Sequence, residues 1–160
     1  MGNAITTGIM IIASVVASIA LINAVLPAIS DSSGALSAAN ASAADRIRTD
    51  IEIIHVAADP AVGGEDQVLV WVKNIGSQKI APVESSDIFL TTPTGVKRLS
   101  HGSGSGPEYW DFIVENGTDW TQAVTIKITL HLADGSVIAG AYTISVAAYN
   151  AVSATKDFSV

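Results

Sequence analysis

The chain has 160 residues, a formal net charge of −7 and no cysteine. The missing cysteine excludes a disulfide framework, a thiolate zinc site and a cysteine nucleophile. The acidic balance, with no basic stretch longer than Lys97-Arg98, excludes a nucleic-acid partner.

The first predicted element is the N-terminal run. Charged residues make up 14% of the chain, yet residues 1–30 contain no Asp, Glu, Lys, Arg or His. Residues 5–29 are mainly Ile, Val, Ala, Leu and Met with small polar residues. A helix of that length, at about 1.5 Å per residue, reaches roughly 37 Å, which spans a hydrocarbon core of about 30 Å. Apolar bulk recurs at helical spacing at Ile5, Ile9, Ile12, Val16, Ile19, Ile22 and Leu26. These are the candidate anchor or assembly residues of a membrane-spanning or filament-core helix. Small residues between them, such as Ala13, Ala17 and Ala20, allow close approach of a second helix. A cleaved secretory signal would carry a basic leading region and a shorter apolar stretch, and here only Met1 to Ala4 precede the run. A soluble core helix is the other alternative. Pro27 is expected to kink the helix or end its first part, because it removes one hydrogen bond and crowds the preceding turn.

The next segment is Ser- and Ala-rich. Residues 37–49 read as a second helical stretch, a spacer or stalk joined to the first across residues 30–34, with a flexible linker as the alternative. The expected division is therefore 1–49, anchor helix and stem, and 50–160, a separate domain. Arg46 and Arg48 beyond the span would by themselves argue for a cytoplasmic domain, but a folded domain of this size translocates regardless of such charges. Asn40-Ala41-Ser42 and Asn116-Gly117-Thr118 match the N-glycosylation acceptor pattern. Asn40 and Asn116 are thus candidate glycosylation sites, and they favour an extracytoplasmic domain with the N-terminus inside.

From residue 50 the texture becomes extended. Stretches 50–57, 67–74, 86–92, 109–116, 123–132, 141–148 and 154–160 read as strands. Their period-two alternation marks half-buried antiparallel sheets. The pattern puts Val68, Val70 and Val72 on one face and Leu69, Trp71 and Lys73 on the other; Val124, Ile126, Ile128, Leu130 and Leu132 likewise face inward. Turn signals at 62–65, 74–77, 93–95, 116–117, 134–135 and 149–150 separate them. Short strands at this spacing point to an Ig-like β-sandwich, with a small barrel as runner-up. The fold class expected for the whole chain is α+β. Residues 101–107, His-Gly-Ser-Gly-Ser-Gly-Pro, read as an exposed loop.

No catalytic constellation emerges. His55, His101 and His131 are far apart on different predicted elements, whereas a metal site needs them to converge with carboxylates. Asp31, Asp45, Asp50 and Glu52 form an acidic band best explained by solvation. No nucleophile elbow or P-loop occurs. The expectation is a non-enzyme with no cofactor and no metal. The aromatic residues read as core packing, and Tyr109 with Trp110, beside the Gly/Ser loop, form the candidate partner surface.

A hydrophobic N-terminal helix, a small-residue stem and a cysteine-free sandwich follow the plan of archaeal type IV pilin-like proteins. Three stretches sharpen the likeness: RIRTDIEIIHV (46–56), VLVWVKNIGSQKIAPVESSDIF (68–89) and ENGTDWTQAVTIKITL (115–130). Together they resemble the archaellum accessory proteins FlaG and FlaF, with FlaG the nearer. The resemblance implies a motility component held in the archaeal cell membrane by its helix, with the sandwich in the pseudo-periplasm beneath the S-layer. It implies a stator-like role linking the archaellum to the S-layer protein, with other archaellum components as partners. It also implies self-association, as a homo-oligomer or filament through the helix. The alternative is a filament-forming pilin-like subunit, an archaellin or adhesive pilin, located in the filament itself. Such subunits carry a basic leader cut by a prepilin-type peptidase; the sequence before residue 5 has no basic residue, which favours an uncleaved anchor. A third class is a membrane-anchored extracytoplasmic binding domain unrelated to motility.

Overall fold

The computed structural model describes residues 2–62, 65–102 and 108–160. The chain divides into two compact units, Met1–Ala43 and Ala44–Val160.

The first unit is helical. One α-helix, α1, runs Gly2–Arg48 over 47 residues, about 70 Å at helical rise. Of the two expectations for Pro27, a kink or an end, the end does not occur: Pro27 lies inside the helix, and so do residues 30–34, which join the two predicted stretches. Proline forfeits one hydrogen bond, and a long ladder of Ala, Ile, Val and Leu on both sides tolerates that loss. No residue of α1 is buried.

The second unit is a sandwich of eight strands: β1 Ile51–Val62, β2 Glu65–Asn74, β3 Asp87–Thr92, β4 Gly95–His101, β5 Tyr109–Val114, β6 Thr125–Ala133, β7 Ala141–Ala147 and β8 Ser153–Ser159. Their spatial order is β1-β2-β6-β5-β4-β3-β7-β8. Every pairing is antiparallel except β4–β5, a short parallel contact at Ser100↔Tyr109 and His101↔Trp110. That contact joins two antiparallel four-stranded halves. The far edges, β1 and β8, come back together so that the sheet nearly closes. Lys156 on β8 donates to the carbonyls of Ile53 (3.1 Å) and Ile54 (2.9 Å). The β1–β2 register shifts between Ile53 and His55, and the lysine satisfies carbonyls beside that irregularity. A charge at the closing edge also blunts edge-to-edge aggregation.

The sandwich architecture agrees with the sequence pattern, and the alternation places the core. Val68, Val70, Val72, Ile126, Ile128, Leu130, Leu132, Tyr142, Ile144 and Val146 are all buried in one cluster. The difference is one additional strand. In β4 only Leu99 is buried, so it offers no apolar alternation, and Lys97 and Arg98 mark it as a solvated strand. The predicted 62–65 turn joins β1 to β2 through residues 63–64, and most of the predicted 101–107 loop falls at 103–107; both stretches lie outside the described residues.

The entry into the sandwich is fixed by close backbone packing. Arg48 carbonyl accepts from the N–H groups of Ser77 (2.9 Å) and Gln78 (3.1 Å), and Asp50 carbonyl accepts from those of Ile75 and Gly76 (both 3.0 Å). The bonds to Arg48 satisfy a carbonyl that the helix end otherwise leaves open. Gly76 is required there, since a Cβ would sit 2.4 Å from Arg48 O and 2.4 Å from Asp50 N. The buried Asn74 holds the same loop: its Nδ2 donates to Gln78 O (2.8 Å) and Trp120 O (3.1 Å), and its Oδ1 accepts from Gly76 N (3.0 Å). Thr49 Oγ1 donates to Asp45 O and accepts from Asn150 Nδ2 (both 2.7 Å).

Candidate interaction surfaces

The helix presents the first surface. The candidate residues Ile5, Ile9, Ile12, Val16, Ile19, Ile22 and Leu26 are between 54% and 66% exposed. Its hydroxyls turn inward on their own backbone: Thr6 Oγ1 donates to Gly2 O (3.0 Å), Ser14 to Ile11 O and Ser18 to Ser14 O (both 2.8 Å). Polar groups satisfied within the segment suit a surface facing lipid or other helices. By length and composition the helix is able to cross a membrane.

The second surface is the outer face of β1-β2-β6-β5, which period-two geometry sets opposite the core. Register aligns three rows across these strands. The first is His55–Trp71–Lys127–Ile113, the second Ala57–Leu69–Thr129–Asp111, and the third Asp59–Gln67–His131–Tyr109. The Trp71 ring lies 5.2 Å from that of His55. Tyr109 stacks on His131 at 4.3 Å and 9°. His131 is bracketed by carboxylates, with Nδ1 at 3.3 Å from Glu65 Oε2 and Nε2 at 3.4 Å from Asp111 Oδ2. Ile113 is 57% exposed. Half-exposed Trp and Tyr with an exposed Ile, rimmed by Lys127, Glu65 and Asp111, is the composition of a protein-contact patch.

Of the sequence-predicted pair, only Tyr109 belongs to this patch. Trp110 is 0% exposed, because the next residue along a strand points into the core; it packs edge-on to His101 at 4.7 Å. Trp71 was read as packing, yet it lies on the outer face. The signal was its alternation with Val70 and Val72, which puts it beside Lys73. Asn40 and Asn116 are both exposed, and Asn116 Oδ1 accepts from Thr125 N at 2.7 Å.

The three histidines do not converge: His55 is on β1 beside Trp71, His101 packs on Trp110, and His131 is on β6. Glu65 and Asp111 approach opposite ring nitrogens of His131, a geometry that braces the ring and cannot share one metal ion. Among the described residues no group of three His, Asp or Glu side chains is placed to hold a metal. A cleft of about 230 Å³ lies between residues 79–84 and 112–120. Lys79 and Asp119, both on its lining, neutralise each other at 3.0 Å.

No family model matches the chain. An uncharacterized protein of Archaeoglobus fulgidus is 34% identical over 163 residues, covering 97% of this chain and 96% of that one. Two solved structures from Sulfolobus acidocaldarius share the fold. The archaellum periplasmic stator protein FlaG aligns with a TM-score of 0.53 at 20% identity, over 69% of this chain and 99% of that chain. The archaellum periplasmic stator protein complex of FlaF and FlaG aligns with a TM-score of 0.56 at 18% identity, over 68% of this chain and 87% of that chain. The chain belongs to the same family as the Archaeoglobus protein.

Proposed function

We propose that this member of the Archaeoglobus family is a FlaG-type accessory component of an archaeal archaellum, with a structural and non-catalytic role. The observation that carries the reading is the joining of two features in one chain. A long unburied helix, free of charge through residue 30, precedes a sandwich whose fold matches FlaG over nearly all of the solved FlaG chain. The resemblance of 46–56, 68–89 and 115–130 to the same proteins supports it independently.

In this reading residues 5–29 anchor the chain in the cell membrane, and the sandwich stands outside, in the pseudo-periplasm. There it meets a FlaF-like partner or the S-layer protein through the outer face around Trp71 and Tyr109, and holds the stator-like element against the S-layer. Asn40 and Asn116 are exposed acceptors for glycans on that side. A filament-forming, pilin-like subunit is the second reading, favoured by the same unburied helix, which would then bundle with copies of itself.

Deleting the gene should abolish swimming. The full chain should restore it, and a Trp71→Ala/Tyr109→Ala variant should restore less while staying folded. Envelope pull-downs with the full chain should recover archaellum components, and with the double variant fewer. A deletion strain that swims normally overturns the proposal. Abundance of the chain in sheared surface filaments, seen by electron microscopy and mass spectrometry, would replace it with the subunit reading.

A further inference from the structure

Every asparagine in the chain but one precedes alanine or isoleucine; Asn116 precedes Gly117. We propose that Asn116 is a site of spontaneous deamidation, at which Gly117 N closes a succinimide ring and the folded chain acquires aspartate and isoaspartate.

Both residues are dictated by the connection between β5 and β6. The last rung of that ladder is half made by a side chain: Glu115 N donates to Thr125 O at 3.0 Å, while Thr125 N donates to Asn116 Oδ1 at 2.7 Å. A side-chain acceptor at 116 is therefore what satisfies the first N–H of β6. Gly117 is fixed by packing, because a Cβ there would lie 3.1 Å from Val124 Cγ2 and 3.2 Å from Val124 Cγ1. The Asn-Gly pair follows from the structure of this hairpin, and its reactivity comes with it.

Ring closure depends on the electrophile, the leaving group and the nucleophile. The Thr125 N–H on Oδ1 draws electron density from Cγ and is placed to stabilise the oxyanion that forms there. Nδ2, the leaving nitrogen, donates to no group among the described residues, and neither does Gly117 N. Residues 115–119 are all exposed, so water and hydroxide reach them, and glycine gives the backbone the freedom that closure demands. The other asparagines differ at these points. Asn74 is buried, and its Nδ2 donates to Gln78 O and Trp120 O. Asn150 Nδ2 donates to Thr49 Oγ1. Asn23 and Asn40 lie well inside α1, where the next N–H is tied into the helical ladder.

The reaction needs only water. Hydroxide removes the proton of Gly117 N, whose lone pair attacks Asn116 Cγ while the C=O pair moves to Oδ1. The Cγ–Nδ2 bond then breaks, and Nδ2 takes a proton and leaves as ammonia. Water opens the succinimide at either carbonyl: rupture of the bond to Cγ gives aspartate, and rupture of the bond to the main-chain carbon gives isoaspartate. Each product adds one negative charge to the formal −7, in the same loop as Glu115 and Asp119. Isoaspartate also inserts a methylene into the main chain and turns Oδ1 into a main-chain oxygen, which disturbs the rung with Thr125. Nδ2 is the atom a glycan would take, so conversion erases that acceptor.

The test uses the full-length chain, made without N-glycosylation, purified in detergent and incubated folded from mildly acidic to mildly alkaline pH. Digestion at acid pH and mass spectrometry read each asparagine peptide separately, and isoaspartyl methyltransferase labels the isoaspartate. The peptide containing Asn116 should accumulate both products, at a rate that rises in proportion to hydroxide, while those containing Asn74 and Asn150 keep their amides. Gly117→Ala should slow conversion about tenfold or more. Because that variant also crowds Val124, Asn116→Gln serves beside it: its longer side chain cannot close the five-membered ring, and its amide should persist over the same time. The proposal is overturned if the folded chain keeps the Asn116 amide under conditions in which the urea-unfolded chain loses it, or if aspartate forms there without isoaspartate.

Discussion

The two units of this chain keep their apolar residues in opposite places. In α1 the Ile, Val and Leu side chains are all on the outside and none is buried. In the sandwich the same residue types close into one core that also buries Trp110 and Trp120. Hydrophobic burial is the main favourable term in folding, so the sandwich carries its own stability and the helix does not. In the proposed reading the helix takes its apolar contacts from lipid or from other copies. The proposed function follows that division: in it the helix holds position and the sandwich presents a face.

Substitutions that attack the sandwich from within should therefore unfold it without affecting membrane retention. The largest effect is expected at Gly76. An added Cβ meets Arg48 O and Asp50 N, both backbone atoms, which have no rotamer by which to yield. Gly76→Ala should destabilise the sandwich by about 3 kcal/mol or more, measured by denaturant unfolding of the domain, while the chain stays in the membrane fraction. A smaller loss is expected from Asn74→Ala. It removes three hydrogen bonds and leaves Gln78 O without its amide donor, while Gly76 N keeps Asp50 O and Trp120 O keeps Ile80 N, and it should cost about 2 kcal/mol. Its thermal midpoint should fall together with that of Gly76→Ala, since both loosen the same 74–78 loop. The smallest change goes the other way. Ala151 has φ 64 in the β7–β8 connection, a conformation that disfavours a Cβ. Ala151→Gly should raise stability by about 0.5 kcal/mol, after the larger chain entropy of glycine is set against the relieved strain. A loss there would mean that the Ala151 side chain contributes contact that its backbone angle conceals.

What the sequence disclosed follows the same division. Where one face is buried and the other wet, as in Val68–Val70–Val72 or Ile126–Ile128–Leu130, alternation reads directly as strand and face. It hid β4 because that strand buries a single side chain, Leu99. It also ranked Tyr109 and Trp110 together, although neighbouring strand residues point to opposite faces and Trp110 is core. The contact patch needs cross-strand register, which brings Trp71, Ile113 and Tyr109 onto one face from separate strands, and no local pattern contains it. The first part of the helix was legible from the charge-free composition of residues 1–30. Whether Pro27 would kink the helix or end it was not, because local proline chemistry allows both and the long flanking ladder decides against an end.

The most direct measurement compares the full-length chain with the piece beginning at Ala44 by flotation with lipid vesicles and by far-UV circular dichroism. The full chain should float with the vesicles and resist alkaline extraction. The shorter piece should stay in the aqueous fraction with an intact β-sheet spectrum. A full chain that remains soluble without lipid or detergent, or a shorter piece that loses its sheet spectrum, would contradict the division into an outward-facing helix and a self-sufficient sandwich.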